Sequence, residues 1–265
     1  VILITALCLV IFNLPWSAAT GSHSAVKNSS GITFPDYSNA SAEPGDDISR
    51  DAKDELPEDL SPIVPDSEAV PLDTIPGSIM ALVNRTYRLP SSYVPKDLVN
   101  VKVRFSFDYS SDKRKLRKEA ARALEKMFRE AKKTKKIILY GVSGYRSYKR
   151  QQQIYLYNIA HRGRHATNSV SALPGSSEHQ TGLTMDISAQ SVDLELVPAF
   201  GRTREGKWVA KNAHRFGFII RYPKSRSKIT GYSYEPWHLR YVGTATATYL
   251  YQNNLTLEEY YGKGK

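Results

Sequence analysis

Residues 20–78 set the first limit on the fold, because their composition cannot supply a hydrophobic core. The segment is rich in Ser, Pro, Asp and Glu, with twelve acidic and three basic side chains and little apolar periodicity. Burial of so little apolar surface cannot offset the entropy that is lost when a chain becomes ordered. We therefore predict an acidic disordered linker at 20–78 and one folded domain at 79–265.

The N-terminal residues 1–19 predict export. They begin with a largely apolar run of signal-peptide length, and Ser17 and Ala19 fit the small-residue pattern of a cleavage site. We expect a signal peptide that is cleaved after Ala19, or an uncleaved N-terminal anchor. Cys8 is the only cysteine of the chain, so no internal disulfide can form and any metal site must use His, Asp or Glu.

The charge is concentrated in the part of the chain that is predicted to fold. The whole sequence has a formal charge of +11, and without residues 20–78 it keeps 34 basic and 14 acidic residues, a charge of +20. Such a domain attracts polyanions. For an exported protein we expect anionic cell-wall polymers or a membrane surface as partners. Nucleic acid is not expected, because no recognition motif accompanies the charge.

The hydrophobic periodicity predicts an α+β domain. Apolar residues at helical spacing predict a long helix at 113–134 with Asp112 as its N-cap. Further helices are expected from residue 147, at 209–216 and at 255–261, and strands at 137–142, 184–188, 218–221 and 237–242. Because helices and strands do not alternate regularly, a central, mainly antiparallel sheet flanked by helices is expected.

Two polar stretches could meet at a metal ion. The first, "SSEHQTGLTMDIS", contains His179 and Asp186, and the second, "EPWHLR", contains Glu235 and His238. Catalytic zinc usually takes three protein ligands and leaves a position for water. Two imidazoles and one carboxylate would form such a set, with Glu235 left over as a general base. Spacing alone leaves open that each residue is structural.

The other histidines are weaker candidates for a metal site. His23 lies in the predicted linker, and His214 lies within a predicted helix. His161 and His165 have helical spacing, but Gly163 between them favours a solvated basic turn.

The same stretches resemble a known family. "SEHQTGLTMD" resembles the S-x-H-x-x-G-x-x-x-D signature of VanY-type D-alanyl-D-alanine carboxypeptidases, and "EPWH" resembles their E-x-W-H motif. "SGYRSYKRQ", "NAHRFGFIIRYP" and "LTLEEYY" look like the same family and occur in the expected order. The resemblance covers about residues 82–261 and places the chain in the larger group that includes lysostaphin-type peptidases and the hedgehog zinc domain.

The resemblance implies a role for each site residue. His179, Asp186 and His238 would bind Zn²⁺, and Glu235 would be the catalytic base. Arg146 would stabilise the oxyanion that develops on the peptide carbonyl. Two further residues would contact the substrate, which are Ser177 and Gln151.

The implied function is zinc-dependent removal of the C-terminal D-alanine from peptidoglycan stem peptides. Two alternatives stay open. An L,D-carboxypeptidase that trims tetrapeptide stems has overlapping motifs, and a zinc-containing cell-wall-binding module would use the same fold without hydrolysis. Since both Glu235 and Arg146 are present, the non-catalytic alternative is disfavoured.

Overall fold

A computed structural model describes residues 71–263 and two short strands near the N-terminus. These strands are β1 (Val26–Lys27) and β2 (Thr33–Phe34), which pair antiparallel. The predicted export segment and most of the predicted linker lie outside the described residues. Within the described part of the chain, no helix has the length and the hydropathy that a membrane span requires.

The central sheet has four antiparallel strands. They are β5 (Tyr140–Ser143), β6 (Thr184–Ser188), β7 (Phe218–Tyr222) and β8 (Glu235–Tyr241), and their order in the sheet is β5-β6-β8-β7. All five residues of β6 are buried, since this strand is covered on both faces. The antiparallel sheet with its flanking helices confirms the predicted α+β class.

Helices surround this sheet. The α-helices are α1 (Lys118–Lys135), α2 (Tyr148–Val170), α3 (Arg204–Asn212), α4 (Ser227–Thr230), α5 (Thr244–Gln252) and α6 (Leu257–Tyr260). Short 3₁₀ turns lie at Asp112–Arg114, Glu178–Thr181, Gln190–Val192, Pro198–Arg202 and Ala213–Phe216. The α2 backbone departs from helical geometry at Gly163.

The α1 helix supplies one side of the main core. Its apolar face buries Leu124 and Met127 completely, in the same cluster as Met185, Ile187 and Leu239 of the sheet. The helix ends at Lys135, and the left-handed backbone of Lys136 lets the N–H of Ile137 bond back to Ala131 O. The periodicity therefore located the buried face correctly.

The predicted start of this helix was wrong. Asp112 is not its N-cap, because residues 112–114 form a 3₁₀ turn that Ser111 caps. The next three residues form β4 (Lys115–Arg117), which pairs with β3 (Leu98–Asn100). The backbone N–H and C=O groups of β4 therefore bond to the distant strand β3 instead of forming helical hydrogen bonds. The local spacing of apolar residues does not indicate such pairing.

Two other boundaries also differ from the predictions. The run from Ile137 to Leu139 is not part of β5, and the N–H of Ile137 bonds back to Ala131 O at the end of α1. The side chains of Ile137 and Leu139 are buried, whereas Ile138 is exposed. The helix that was predicted at 209–216 is α3 followed by the 3₁₀ turn at Ala213–Phe216.

Candidate metal centre and active site

The pairing of β6 with β8 places two of the predicted ligands next to each other. Asp186 and His238 are direct cross-strand partners in this antiparallel pair. Partners in such a pair have Cβ atoms about 5 Å apart and project from the same face. Strand register therefore joins residues that are 52 positions apart in the sequence.

A short turn brings His179 to the same point. His179 lies in the 3₁₀ turn Glu178–Thr181, and Gly182 reverses the chain into β6 with φ of 67°. This left-handed backbone favours glycine, and a Cβ there would also have to displace the tip of the Leu98 side chain, whose Cδ2 would lie 2.8 Å away. His179 Nδ1 lies 2.7 Å from the carbonyl oxygen of Gly144, to which it can donate. That bond leaves Nε2 as the free ligand nitrogen.

These three residues form a buried group that can hold a metal ion. One ligand atom from each of His179, Asp186 and His238 lies within 4.8 Å of the others. His179 Nε2 is 3.3 Å from Asp186 Oδ2, and His238 Nδ1 is 3.1 Å from Asp186 Oδ1. Asp186 Oδ1 is nevertheless buried without a hydrogen bond of adequate geometry. A buried carboxylate oxygen that lacks a proper donor, beside two imidazoles, fits a divalent cation such as zinc.

The electrostatics of the group suit a cation. Burial alone would raise the pKa of Asp186, but its two histidine neighbours hold it far below the ordinary value. Burial and the Arg146 charge lower the pKa of His179, which favours the neutral form that binds metal. Burial also acts to lower the pKa of His238, yet the carboxylates of Asp186 and Glu178 raise it to about 9. This raised pKa favours the protonated form of His238 in the metal-free protein at neutral pH.

Glu235 lies at the open edge of the group. It is the first residue of β8, which begins two residues before the strand that was predicted at 237–242, and its side chain is 21% exposed. Its Oε2 is 3.6 Å from His238 Nδ1. Burial and the nearby Asp186 charge raise the pKa of Glu235 to about 7, against the lowering effects of His238 and Arg146. A carboxylate of this kind can both accept and return a proton near neutral pH.

Arg146 lies in the segment that follows β5, and its charge acts on both His179 and Glu235. Its backbone N–H bonds to His179 O, which ties this segment to the metal ligands. Its guanidinium donates to Gln151 Oε1 at 2.9 Å and to Ser143 Oγ at 3.1 Å. The guanidinium is thereby fixed while part of the side chain remains exposed. A fixed cation of this kind suits a developing oxyanion.

The two predicted substrate-binding residues have different surroundings. Ser177 precedes the 3₁₀ turn and is buried, and its hydroxyl makes no capping bond. Gln151 accepts a hydrogen bond from Arg146 and donates one to Ala172 O at 2.7 Å, so it helps to fix the position of the arginine side chain. Their contact with substrate stays a prediction.

The remaining histidines do not join the group among the described side chains. His161 Nδ1 bonds to Tyr157 O within α2, and His214 stacks on Tyr251. The side chain of His165 lies outside the described part, as does His23. Trp237 packs against the main core.

The sequence reasoning missed a cluster of buried charges beneath the metal group. It consists of Glu178, Arg221, Arg240 and Glu258, and all four side chains are almost completely buried. One signal was available in the sequence. Side chains alternate along a strand, so Arg240 lies on the same face of β8 as His238. A charged arginine on a buried face requires an acidic or hydrogen-bonding partner. The acid partners could not be identified without the tertiary structure.

Known proteins are similar to most of the folded part of this chain. The family profile described as "VanY: D-alanyl-D-alanine carboxypeptidase" matches residues 113–244. YodJ of Bacillus subtilis (strain 168), which carries a provisional carboxypeptidase name, is 54% identical over 196 residues, covering 73% of this chain and 71% of YodJ.

Two solved structures are similar over most of the folded part. The LdcB LD-carboxypeptidase, solved to explain peptidoglycan recognition, has a TM-score of 0.69 and 51% identity, covering 75% of this chain and 94% of that one. A glutamate-to-alanine variant of the vancomycin-resistance D,D-pentapeptidase VanY, in complex with Zn(II), has a TM-score of 0.54 and 33% identity, covering 68% and 97%.

Proposed function

This chain belongs to the VanY family and is a metallopeptidase, and we propose that it removes the C-terminal D-alanine from peptidoglycan stem peptides with zinc as its cofactor. The resemblance seen in the motifs is thereby confirmed. The observation that carries the proposal is the buried group of His179, Asp186 and His238 with Glu235 at its open edge. The zinc that is bound to the VanY structure supports the choice of metal.

Each site residue has a separate role in the proposed hydrolysis. When bound, zinc would lower the pKa of a water ligand to about 7 and polarise the scissile carbonyl. Glu235 is placed to take the proton from the attacking water and to return it to the leaving amine of D-alanine. Arg146 stabilises the negative charge that develops on the carbonyl oxygen. Ser177 and Gln151 would contact the C-terminal end of the peptide.

The bond that is cleaved separates two candidate activities. The description of the family profile supports cleavage of the D-Ala–D-Ala bond of a pentapeptide stem. The greater likeness to LdcB, at 51% identity against 33% for VanY, supports the L,D bond of a tetrapeptide stem. On that ground, the L,D-carboxypeptidase activity is the first candidate and the D,D-carboxypeptidase activity is the second. Peptide length distinguishes the two.

The decisive assay offers pentapeptide and tetrapeptide stems separately to the zinc-loaded chain. Products are identified by mass spectrometry, with and without a chelator, and the Glu235→Gln variant is the matched control. Chelator-sensitive loss of alanine only from the tetrapeptide supports the L,D activity, and loss only from the pentapeptide supports the D,D activity. Intact peptides with zinc bound would support the non-catalytic wall-binding module instead.

One face of α1 supports the proposed attraction to anionic wall polymers. Arg122, Lys126, Arg129 and Lys133 are exposed and follow each other at four- and three-residue steps, so they lie on one side of the helix. Residues 1–19 support the accompanying proposal that the chain is exported to the compartment of such polymers.

Sedimentation with purified cell walls tests this surface. Replacing Lys126 and Arg129 by Glu should weaken binding, and added salt should weaken the binding of the unchanged chain. The control reverses two exposed lysines elsewhere, Lys224 and Lys228. Equal losses in both variants would point to total charge, and salt-insensitive binding would reject the electrostatic attraction.

A further inference from the structure

The buried charges beneath the metal group form a closed network. Arg221 Nε and Arg240 Nη1 donate to the same oxygen, Glu178 Oε1, at 2.7 and 2.8 Å. Arg221 also donates to both oxygens of Glu258, each at 2.7 Å. Arg240 donates to the carbonyl oxygens of Ile79 and Ala81, which brings the N-terminal part of the domain into the network. Two acids and two bases thus balance in charge.

One oxygen of this network remains without a partner and faces the metal group. Glu178 Oε2 and His238 Nε2 are 3.6 Å apart, just beyond hydrogen-bond distance. Both atoms are buried, and neither forms a hydrogen bond with any described residue. The other nitrogen of the same ring, Nδ1, faces Asp186 and Glu235. The ring therefore presents one nitrogen to the metal side and the other to Glu178.

The two histidines need different partners to hold their rings. His179 uses the backbone carbonyl of Gly144 for the nitrogen that does not face the metal group. Among the described residues, no backbone carbonyl accepts a hydrogen bond from His238 Nε2, and the Glu178 carboxylate lies 3.6 Å from this nitrogen. A histidine ligand is normally fixed by a bond from its second nitrogen to a carbonyl or carboxylate.

We propose that Glu178 is a positioning residue for the metal centre, which accepts the Nε2–H of His238 and so directs Nδ1 to the metal. Arg221 and Arg240 hold the Glu178 carboxylate in place through its other oxygen. Glu258 offsets the second positive charge. The inference rests on the metal role that is proposed for His238. Glu178 would then act on the metal centre through its hydrogen bond to His238 and would not bind the metal itself.

A solely structural role for the network makes a different prediction. Loss of one member of a buried ion pair costs several kcal/mol whichever member is removed, because it leaves an uncompensated charge. A structural network would therefore lose stability from Glu178 and Glu258 alike and leave zinc affinity equally affected in both cases. Only the positioning role predicts that the loss of Glu178 weakens zinc binding more than the loss of Glu258.

The experiment compares Glu178→Gln with Glu258→Gln in the full chain. Zinc affinity is measured by competition with a chromophoric chelator, and thermal unfolding of the metal-free protein reports stability. We expect both variants to lower the melting temperature, Glu178→Gln to weaken zinc binding by 10- to 100-fold, and Glu258→Gln to change it by less than about threefold. Unchanged zinc affinity in Glu178→Gln, or equal weakening in both variants, would overturn the inference.

A second measurement uses the unchanged chain and so does not depend on how the variants fold. Long-range ¹H–¹⁵N spectra of the zinc-loaded protein identify which nitrogen of His238 carries the proton. A slowly exchanging Nε2–H supports the proposal, whereas a protonated Nδ1 would contradict it. Neither readout requires turnover, so a failure of the proposed peptidase activity and a failure of this inference can be distinguished.

Discussion

The metal-free protein should lose stability as the pH rises from about 6.5 to 9. Its cause is His238, whose pKa the carboxylates of Asp186 and Glu178 raise to about 9 against the lowering effect of burial. A raised pKa means that the folded state binds the proton more tightly than the unfolded state. The stabilisation is therefore complete below the unfolded pKa of about 6.5 and disappears as the pH passes the folded value.

The size of the effect follows from the shift. About 2.5 pKa units correspond to about 3 kcal/mol at most, at about 1.4 kcal/mol per unit. With a urea m-value of about 2 kcal/mol per molar, the unfolding midpoint should fall by about 1.5 M over this range. The pKa of Glu235 is raised to about 7, mainly by burial. Its ionisation also lowers the free energy of unfolding, but most of that loss has already occurred at about pH 6.5.

Urea unfolding of chelator-treated protein at several pH values provides the test. The His238→Gln variant is the control and should show a much smaller slope above pH 7. Zinc should reverse the trend in the unchanged chain, because metal must displace the His238 proton and so binds more tightly as the pH rises. A midpoint in the metal-free chain that is constant from pH 6.5 to 9, or an equal slope in the control, would refute the reasoning.

Three substitutions test the site and the core. Glu235→Gln should keep zinc bound and lower kcat by about 10²- to 10⁴-fold, as measured on the preferred stem peptide; near-normal turnover would remove Glu235 from its role as the base. Arg146→Lys should lower kcat by about 10²-fold or more while zinc content is unchanged, because a lysine cannot reproduce the guanidinium that Gln151 and Ser143 hold; an effect on KM alone would indicate substrate binding instead. Leu124→Ala should lower the free energy of unfolding by about 2–5 kcal/mol in denaturant titration, since this side chain is completely buried; a loss below about 1 kcal/mol would mean that the surrounding core collapses into the space.

Local patterns predicted much of the fold because they report what each segment buries. The period of apolar residues located the buried face of α1, and β6 was predicted at the positions where it lies. The boundaries that failed have different causes. At 115–117 the backbone pairs with the distant strand β3, whereas the N–H of Ile137 bonds back to Ala131 O and closes the end of α1.

The sequence by itself determined the chemical groups of the site. Its motifs contain the two imidazoles, the carboxylates and the guanidinium in the order that the family shows, and the absence of other cysteines than Cys8 restricted the choice of metal ligands. These conclusions need no coordinates, because they depend only on which functional groups a short stretch can offer.

The tertiary structure alone decided how those groups are held. The register of β6 against β8 sets Asp186 opposite His238, and the Gly144 carbonyl selects the free nitrogen of His179. The partners of Glu178 are Arg221 in β7 and Arg240 in β8, and Arg221 in turn bonds to Glu258 in the last helix. Buried charges are stable only when distant segments bring opposite charges within bonding distance, and that distance is a property of the packed chain.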